Sequence, residues 1–305
     1  MKILVGLSMF VKKIQFYFLF ILLIGIFFIS CDAQALSLSP ALVKLELNPG
    51  ETKIQIIKLF NETDQTISFY SSVENFTPDK KTNVPFFLGN QDPLGSARWF
   101  VISPSQVTLK SGEKQDVVVK ISAPRIAEPG GHYAAIFWSN VPPQDGGLKT
   151  ANRLASLFLL TIKGEIKENL EIVSFLKKTS EPLGFNLEIE NKGNIHLQPA
   201  GHILVTNSKG EQVSLIPINS LKQNILPQSR RSFDFVSTEN LTWGKYTAQA
   251  TIYFGKDRVI NSQEIIFWLW PNHLLGGVLS FLVAVLVLFV IYKLAKQKIS
   301  SSSRL

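Results

Sequence analysis

Alternation of apolar and polar residues with a period of two dominates the sequence between Leu36 and Pro271. Side chains on a β-strand point alternately to the two faces of its sheet, so this pattern predicts strands with one buried and one solvated face. Shorter stretches at 116–121 and 185–190 behave in the same way. In the longest stretch, two rows of residues are predicted to lie on opposite faces of one strand. One row is Tyr246, Ala248, Ala250, Ile252 and Phe254, and the other is Thr247, Gln249, Thr251 and Tyr253.

Turn sequences separate these predicted strands at short intervals, which favours antiparallel β-sandwiches over parallel sheets. Four of them are rich in Asn and Gly: 48–51, 110–113, 191–194 and 207–210. We divide the region near Gly164. The prediction is an all-β fold with two tandem immunoglobulin-like β-sandwiches, at 36–164 and 165–268, followed by one transmembrane α-helix.

A short pattern occurs twice within the first predicted sandwich. In Pro40–Glu51 and in Pro104–Glu113, the residues P-x-x-V-x-L precede a Gly-Glu pair and then a further strand. We interpret this as one strand–turn–strand arrangement used twice rather than as a true repeat. Between the two copies, the stretch Asn75–Arg98 is irregular and rich in Pro and Gly, and long loops on rigid scaffolds often carry binding sites.

The amino terminus predicts an export signal at residues 1–35. Two lysines precede the apolar run Ile14–Ser30, and Ala33 and Ala35 occupy the −3 and −1 positions of a cleavage site after Ala35. Two alternatives remain at this stage, which are an uncleaved membrane anchor and lipidation of Cys31. Cys31 is the only cysteine in the sequence, so the composition excludes a disulfide scaffold.

The segment Leu274–Tyr292 predicts a membrane-spanning helix. It has 19 residues without a charge, which at about 1.5 Å each nearly match the hydrocarbon core of a bilayer. Lysines after the segment place the tail 293–305 in the cytoplasm and the preceding region outside, by the positive-inside rule. The predicted aromatic and basic flanks of the anchor are Trp268, Trp270, Tyr292, Lys293, Lys296 and Lys298.

Small residues recur every fourth position within this segment, at Gly276, Ser280 and Ala284. Such spacing lines one face of a helix and permits the close approach of a second helix. It predicts a possible homodimer or a partner helix, and the alternative is chance in a segment rich in small residues.

The net charge of +8 does not indicate a nucleic-acid-binding protein. Between Leu36 and Pro271 there are 24 basic and 22 acidic residues, so most of the excess lies beside the two apolar segments. Basic residues beside membrane segments fit a lipid surface and topology signals. Membrane is therefore a predicted partner, and nucleic acid is not.

The sequence offers no catalytic, cofactor-binding or metal-binding constellation, and we assign no residue to any of these roles. It has no phosphate-binding loop, no G-x-S-x-G and no H-E-x-x-H. His196 and His202 are six residues apart, but no cysteine or carboxylate cluster completes a metal shell. Glu188 and Glu190 share a predicted strand face, and we interpret them as a solvated charged row.

Several strand and turn segments resemble those of a known family. Those of the first region are similar to a PapD-like, immunoglobulin-type module, and the whole plan resembles the WxL-interacting cell-surface proteins of Gram-positive bacteria. The segments that carry the resemblance are Lys53–Asn61, Phe100–Ile121, Pro129–Tyr133, Asn191–Gly201, Ile225–Pro227 and Gly244–Tyr246.

The resemblance implies binding to peptidoglycan, to a WxL-type surface protein or to a host surface, and it identifies no binding residue. PapD-like chaperones hold a client carboxylate with basic residues, for which Arg98 and Arg125 are candidates by chemistry alone. We expect a non-enzymatic protein that uses loops or an exposed sheet edge. The alternatives are a structural or accessory component of a surface or secretion assembly, and a membrane-tethered hydrolase subunit that uses Asn75–Arg98.

Overall fold

The computed structural model describes residues 36–79, 85–88, 95–142, 153–179, 183–237, 239, 241–269, 277 and 280–293. The predicted signal peptide, with Cys31 and the cleavage residues Ala33 and Ala35, lies outside these residues. So do four residues of the predicted anchor and helix face: Trp270, Gly276, Lys296 and Lys298.

The first sandwich consists of two sheets that enclose one core. One sheet has the strand order β1-β3-β8-β6, and the other has the order β2-β10-β9-β4, with β5 and β7 both paired to β4. The strands are β1 Leu36–Ser39, β2 Leu42–Leu47, β3 Thr52–Asn61, β4 Ile67–Pro78, β5 Pro85–Phe87, β6 Phe100–Ser103, β7 Gln106–Leu109, β8 Lys114–Ser122, β9 Gly130–Ser139 and β10 Arg153–Ile162.

The pattern that occurs twice in the sequence also occurs twice in space. β1 and β6 are the two edges of one sheet, and after a cis Ser–Pro peptide each chain passes to the other sheet as β2 or β7. The Gly-Glu pair then begins the turn into β3 or β8. In both turns the glutamate accepts the main-chain N–H three residues earlier: Glu51 from Asn48 at 2.7 Å, and Glu113 from Lys110 at 2.8 Å.

The second sandwich also consists of two sheets around one core. β11-β12-β15 form one sheet, and β14-β13-β16 form the other, with β17 and β18 both paired to β16. The strands are β11 Leu170–Lys177, β12 Gly184–Asn191, β13 Ala200–Asn207, β14 Gln212–Ile218, β15 Ser229–Val236, β16 Gly244–Phe254, β17 Arg258–Asn261 and β18 Ile265–Leu269.

Burial along β16 follows the predicted alternation. All five residues of the apolar row from Tyr246 to Phe254 are buried, and the intervening residues are half-buried or exposed. The same alternation holds at Phe185–Glu190 in β12 and at Asp116–Ile121 in β8. The all-β prediction is therefore confirmed for residues 36–269 as far as the structure describes them.

Residues 280–293 are helical, and Ser280, Ala284, Tyr292 and Lys293 lie among them. Over the part of the chain that the structure describes, no helix has both the length and the apolarity needed to cross a membrane. Trp268, which we predicted as part of the anchor flank, lies on β18 opposite Lys245 of β16.

Candidate binding surface

The outward face of the sheet β1-β3-β8-β6 carries an apolar patch. Ile54 and Ile56 of β3, Val118 of β8 and Val101 of β6 point away from the core, and their side chains are 68%, 45%, 42% and 61% exposed. The strand register sets Ile56 opposite Val118, and it sets Lys120 between Ile54 and Val101. These four residues are called the apolar patch below, and Lys120 interrupts the patch between Ile54 and Val101. Exposed apolar side chains grouped on one face are of the kind that marks interaction sites.

Lysines lie within and beside this apolar patch. Lys58, Lys114 and Lys120 are exposed on the same face of β3 and β8, and Asp116 is the acidic residue among them. Lys114 lies over the ring of Phe60, with its ammonium nitrogen 4.8 Å from the ring centroid. The face therefore combines apolar and positive side chains, which is complementary to a surface that combines apolar and acidic side chains.

The edges of this sheet offer a partner fewer contacts than its outward face does. β1 and β6 are the edge strands and have four residues each, so few main-chain groups are free to pair with an incoming strand. In the second sandwich the edge strand β14 contains Pro217, which has no N–H to donate. At these three edges the geometry favours recognition by the face over the edge pairing that we predicted as one possibility, whereas β11 and β15 are eight-residue edges of their own sheet.

The second sandwich contacts the outward face of β9 and β10. Leu226 packs into a buried cluster with Phe76, Ala135, Phe137 and Leu159 of the first sandwich. Gly131 donates its main-chain N–H to the carbonyl of Asn194 at 2.7 Å. A Cβ at Gly130 would come within 2.9 Å of that carbonyl, so this close approach of the two sandwiches requires glycine.

His196 lies in this contact between the sandwiches. Its ring makes an edge-to-face contact with Tyr133 of β9, with 6.0 Å between the centroids. Burial, with a smaller repulsive effect of the Lys44 ammonium, lowers the pKa of His196 to about 4. Burial also lowers the pKa of Lys44, which donates to the side-chain carbonyl of Gln198 at 3.4 Å.

Acid should weaken the fold through His196. Because the folded-state pKa lies below the ordinary value of about 6.5, the unfolded chain binds more protons between these values, and stability falls as pH decreases through that window. We expect a loss of about 2 kcal/mol in unfolding free energy between pH 7 and pH 5 from this residue. The measurement is urea unfolding at both pH values for the wild type and for His196→Phe, which keeps a ring against Tyr133.

In His196→Phe the pH-dependent loss should be smaller by that amount. His202→Phe is the matched control, because His202 lies on the outward face of β13, where its ring approaches Tyr253. An equal pH dependence in the wild type and in His196→Phe would contradict the assignment.

The other candidate groups are engaged in local contacts. The ring of His132 contacts Trp99, with centroids 4.7 Å apart, and its Nε2 lies 2.9 Å from the carbonyl of Glu128. Glu188 and Glu190 both face Arg230 at 3.8 and 3.2 Å, as expected for a solvated charged row. Among the residues that the structure describes, no group of three or more His, Cys, Asp or Glu could hold a metal ion.

The described parts of Asn75–Arg98 are tied to the first sandwich. The buried side chain of Asn75 accepts the main-chain N–H of Ala97 at 2.7 Å, and β5 pairs with the end of β4. The nearby carboxylate of Glu74 forms an ion pair with Arg153, whose guanidinium lies over Phe137. The described residues at this place therefore offer a paired carboxylate rather than the converging carboxylates that a hydrolase would need.

Sequence reasoning missed both the apolar patch and the contact between the sandwiches. The sequence does contain a sign of the patch. Ile54 and Ile56 lie on the same face of β3 as Lys58, and Val118 lies on the same face of β8 as Lys120, so these apolar residues belong to rows that are expected to be solvated. Arg98 and Arg125, suggested by chemistry, belong to different places: Arg98 to a short 3₁₀ turn, and Arg125 to the turn after β8, where it approaches Gly50.

Comparisons with known proteins identify no family. No family model matches the chain, and no curated protein matches it. Solved structures to which it is similar include the class 5 fimbriae chaperone CfaA, at 15% identity and a TM-score of 0.41, covering 78% of this chain and 100% of that one. A complex of the Salmonella enterica SafA pilin with the SafB chaperone is also similar, at 14% identity and a TM-score of 0.38, with 79% of this chain and 99% of that chain covered.

The E. coli chaperone DraB gives 14% identity and a TM-score of 0.36, with 77% of this chain and 98% of that chain covered. Membership of the WxL-interacting family is not shown by any of these comparisons and stays a prediction. What the structure itself establishes, over the residues that it describes between 36 and 269, is an all-β arrangement of two sandwiches in contact.

Proposed function

We propose that the chain is a non-enzymatic, membrane-anchored surface protein that binds a partner protein outside the cell through the apolar patch of its first sandwich. The observation that carries this proposal is the exposure of Ile54, Ile56, Val101 and Val118 on one sheet face. The proposal keeps the predicted signal peptide, the sandwiches at 36–164 and 165–268, the anchor at 274–292 and the cytoplasmic tail.

The order of the strands supports presentation of the patch away from the membrane. β18 ends at Leu269 opposite Gly244, the first residue of β16. The contact with the first sandwich, at Asn194 and Leu226, lies toward the other end of the second sandwich, where Leu197 bridges to Ile225 and β13 begins. Because β16 has 11 residues at about 3.3 Å each, the second sandwich would act as a spacer of about 36 Å.

The chemistry of the patch supports a protein as the partner. β-Branched side chains on a twisted sheet offer a broad apolar surface, whereas small-molecule sites are concave with a few convergent polar groups. The lysines within and beside the patch favour a partner whose surface has both acidic and apolar residues. Among the partners implied by the resemblance, we therefore favour a secreted or surface-bound protein over peptidoglycan, and we retain the host surface as a source of such a protein.

Placing a charge in the patch should abolish this binding. Val118→Glu puts a carboxylate at the centre of the face while leaving the core side of β8 unchanged. We expect capture of the partner to weaken at least about 30-fold, which is the effect of removing a central interface residue. The measurement is a pull-down with the full chain in lipid nanodiscs against isolated cell wall and against secreted proteins.

Leu215→Glu is the matched control, because Leu215 is 51% exposed on the outward face of the second sandwich. This variant should bind as the wild type does. Undiminished capture by Val118→Glu would contradict the assignment of the patch, and capture of purified peptidoglycan by both variants would favour the cell-wall alternative.

Two further predictions remain proposals. A homodimer or partner helix would use Gly276, Ser280 and Ala284, and the last two lie one turn apart in the helical residues 280–293. An accessory role in a surface or secretion assembly is the second candidate function. It is compatible with the same patch, because such a component also needs a partner-binding face.

A further inference from the structure

One end of the second sandwich carries an exposed group of aromatic, apolar and basic side chains. Trp243 precedes β16 and is 68% exposed, and Trp268 of β18 is 55% exposed. Lys245 lies opposite Trp268 in the sheet, and Ile266, 59% exposed, lies opposite Thr247. We call the four residues Trp243, Lys245, Ile266 and Trp268 the tryptophan foot.

The tryptophan foot lies where the chain leaves the sandwich. Leu269 is the last residue of β18 and pairs with Gly244, the residue that follows Trp243. The apolar segment begins five positions later, at Leu274. A chain extends at most about 3.3–3.6 Å per residue, so this end of the sandwich lies no more than about 17 Å from the start of that segment.

The composition of the tryptophan foot matches the boundary between lipid and water. Tryptophan is enriched at that boundary, because its ring is apolar while its N–H can bind water or a headgroup. A lysine beside it attracts anionic headgroups. An open cavity of about 440 Å³ adjoins Trp243, and its polar lining comes from Asn207, Ser208, Thr242 and Lys245, which could accommodate a headgroup.

We propose that the tryptophan foot rests on the outer leaflet of the membrane and fixes the orientation of the second sandwich relative to the bilayer. The inference rests on the proposed membrane anchor, since the anchor brings the foot to the lipid. An exposed aromatic surface of this size, if it lay far from the residue where the chain leaves the sandwich, would fit a protein partner instead. Its place beside Leu269 favours the lipid.

The test uses the full chain reconstituted into vesicles of phosphatidylcholine and phosphatidylglycerol, with and without brominated acyl chains that quench nearby tryptophans. A Trp270→Phe background removes the tryptophan that follows β18. Trp99 and Trp138 are buried in the first sandwich and serve as unquenched references. Introducing Trp243→Phe should remove about half of the quenchable emission, because Trp243 and Trp268 would contribute comparably at the interface.

Leu221→Trp is the matched control. Leu221 is 82% exposed and follows β14 at the end of the second sandwich that faces the first, so a tryptophan there should add unquenched emission. Lys245→Glu should reduce the quenching in vesicles that contain phosphatidylglycerol more than in pure phosphatidylcholine. Near-ultraviolet circular dichroism checks that each variant is folded.

Two different results would overturn the two proposals separately. If alkaline carbonate releases the chain from vesicles, the membrane anchor is wrong and the foot loses its basis. If the chain resists carbonate but brominated lipid does not quench Trp243, the anchor stands and the foot is wrong. Equal quenching at Leu221→Trp and at Trp243 would also contradict the foot, since it would show a sandwich lying flat on the membrane.

Discussion

Replacing Asn191 with alanine should lower the free energy of unfolding of the second sandwich by about 3 kcal/mol, because it removes three hydrogen bonds to main-chain groups, of which, among the described residues, only the carbonyl of Ile225 keeps a second donor, the N–H of Leu197. Asn191 ends β12 and is completely buried. Its Nδ2 donates to the carbonyls of Ile195 and Ile225, both at 2.8 Å, and its Oδ1 accepts the N–H of Gly193 at 2.9 Å. Alanine can replace none of these three bonds.

The first sandwich contains a matching residue. Asn61 ends β3, is completely buried, and donates to the carbonyl of the residue four positions later, Gln65, at 2.7 Å. It donates also to the carbonyls of Leu109 and Lys110. Each asparagine thus connects a turn to a segment that is distant in the sequence, and Asn61→Ala should have a similar effect on the first sandwich.

The measurement is urea unfolding of the full chain in mild detergent, followed by circular dichroism. Asn186→Ala is the control, because Asn186 lies on the same strand β12 but bonds only exposed side chains, Ser232 and Asp234. It should cost no more than about 0.5 kcal/mol. Equal midpoints for Asn191→Ala and Asn186→Ala would show that the buried bonds do not stabilise the turn.

Gly201→Ala should destabilise the second sandwich by about 3 kcal/mol, the upper end of the usual cost of overpacking. Gly201 lies on β13, opposite Ile252 of the central strand β16. A Cβ there would overlap the carbonyl oxygen of Thr251 and lie 3.0 Å from its carbonyl carbon. A main-chain carbonyl between paired strands cannot rotate away, so the two strands would have to separate.

Thermal unfolding of the full chain in detergent tests this prediction, with Ala200→Val as the control. Ala200 precedes Gly201 on β13 and is exposed, so a larger side chain there meets solvent. We expect the control to unfold within a few degrees of the wild type. A Gly201→Ala protein with an unchanged midpoint would mean that β13 and β16 can shift apart without loss.

Much of the fold was predictable because the signals are local. The alternation at Tyr246–Phe254 predicted β16, and its buried row is the one expected. The two copies of P-x-x-V-x-L followed by Gly-Glu predicted one arrangement used twice, and both copies pass from one sheet to the other at a Ser–Pro peptide. A turn or an alternating strand depends on a few neighbouring residues, so the sequence carries it directly.

The candidate site was predictable only in part. We expected binding by the stretch Asn75–Arg98 or by a sheet edge, which both stay predictions, and the structure adds an apolar patch on a sheet face. The patch joins Ile54 to Val101 across β8, and these residues are 47 positions apart in the sequence. No local pattern specifies which strands become neighbours, so the patch becomes visible only once the register is known.

The sequence by itself determined the strands, their buried rows, the turns between them and the two apolar segments at the ends, because each depends on residues that are close along the chain. Only the tertiary structure decided which outward faces are covered. Phe137 of β9 is buried in a cluster that includes Leu226 of the second sandwich, whereas the equally apolar Ile54 and Ile56 meet solvent. That difference depends on how the two sandwiches, each with its own core, pack against each other. Burial between segments that are distant in the sequence does not change the local alternation of apolar and polar residues in either segment.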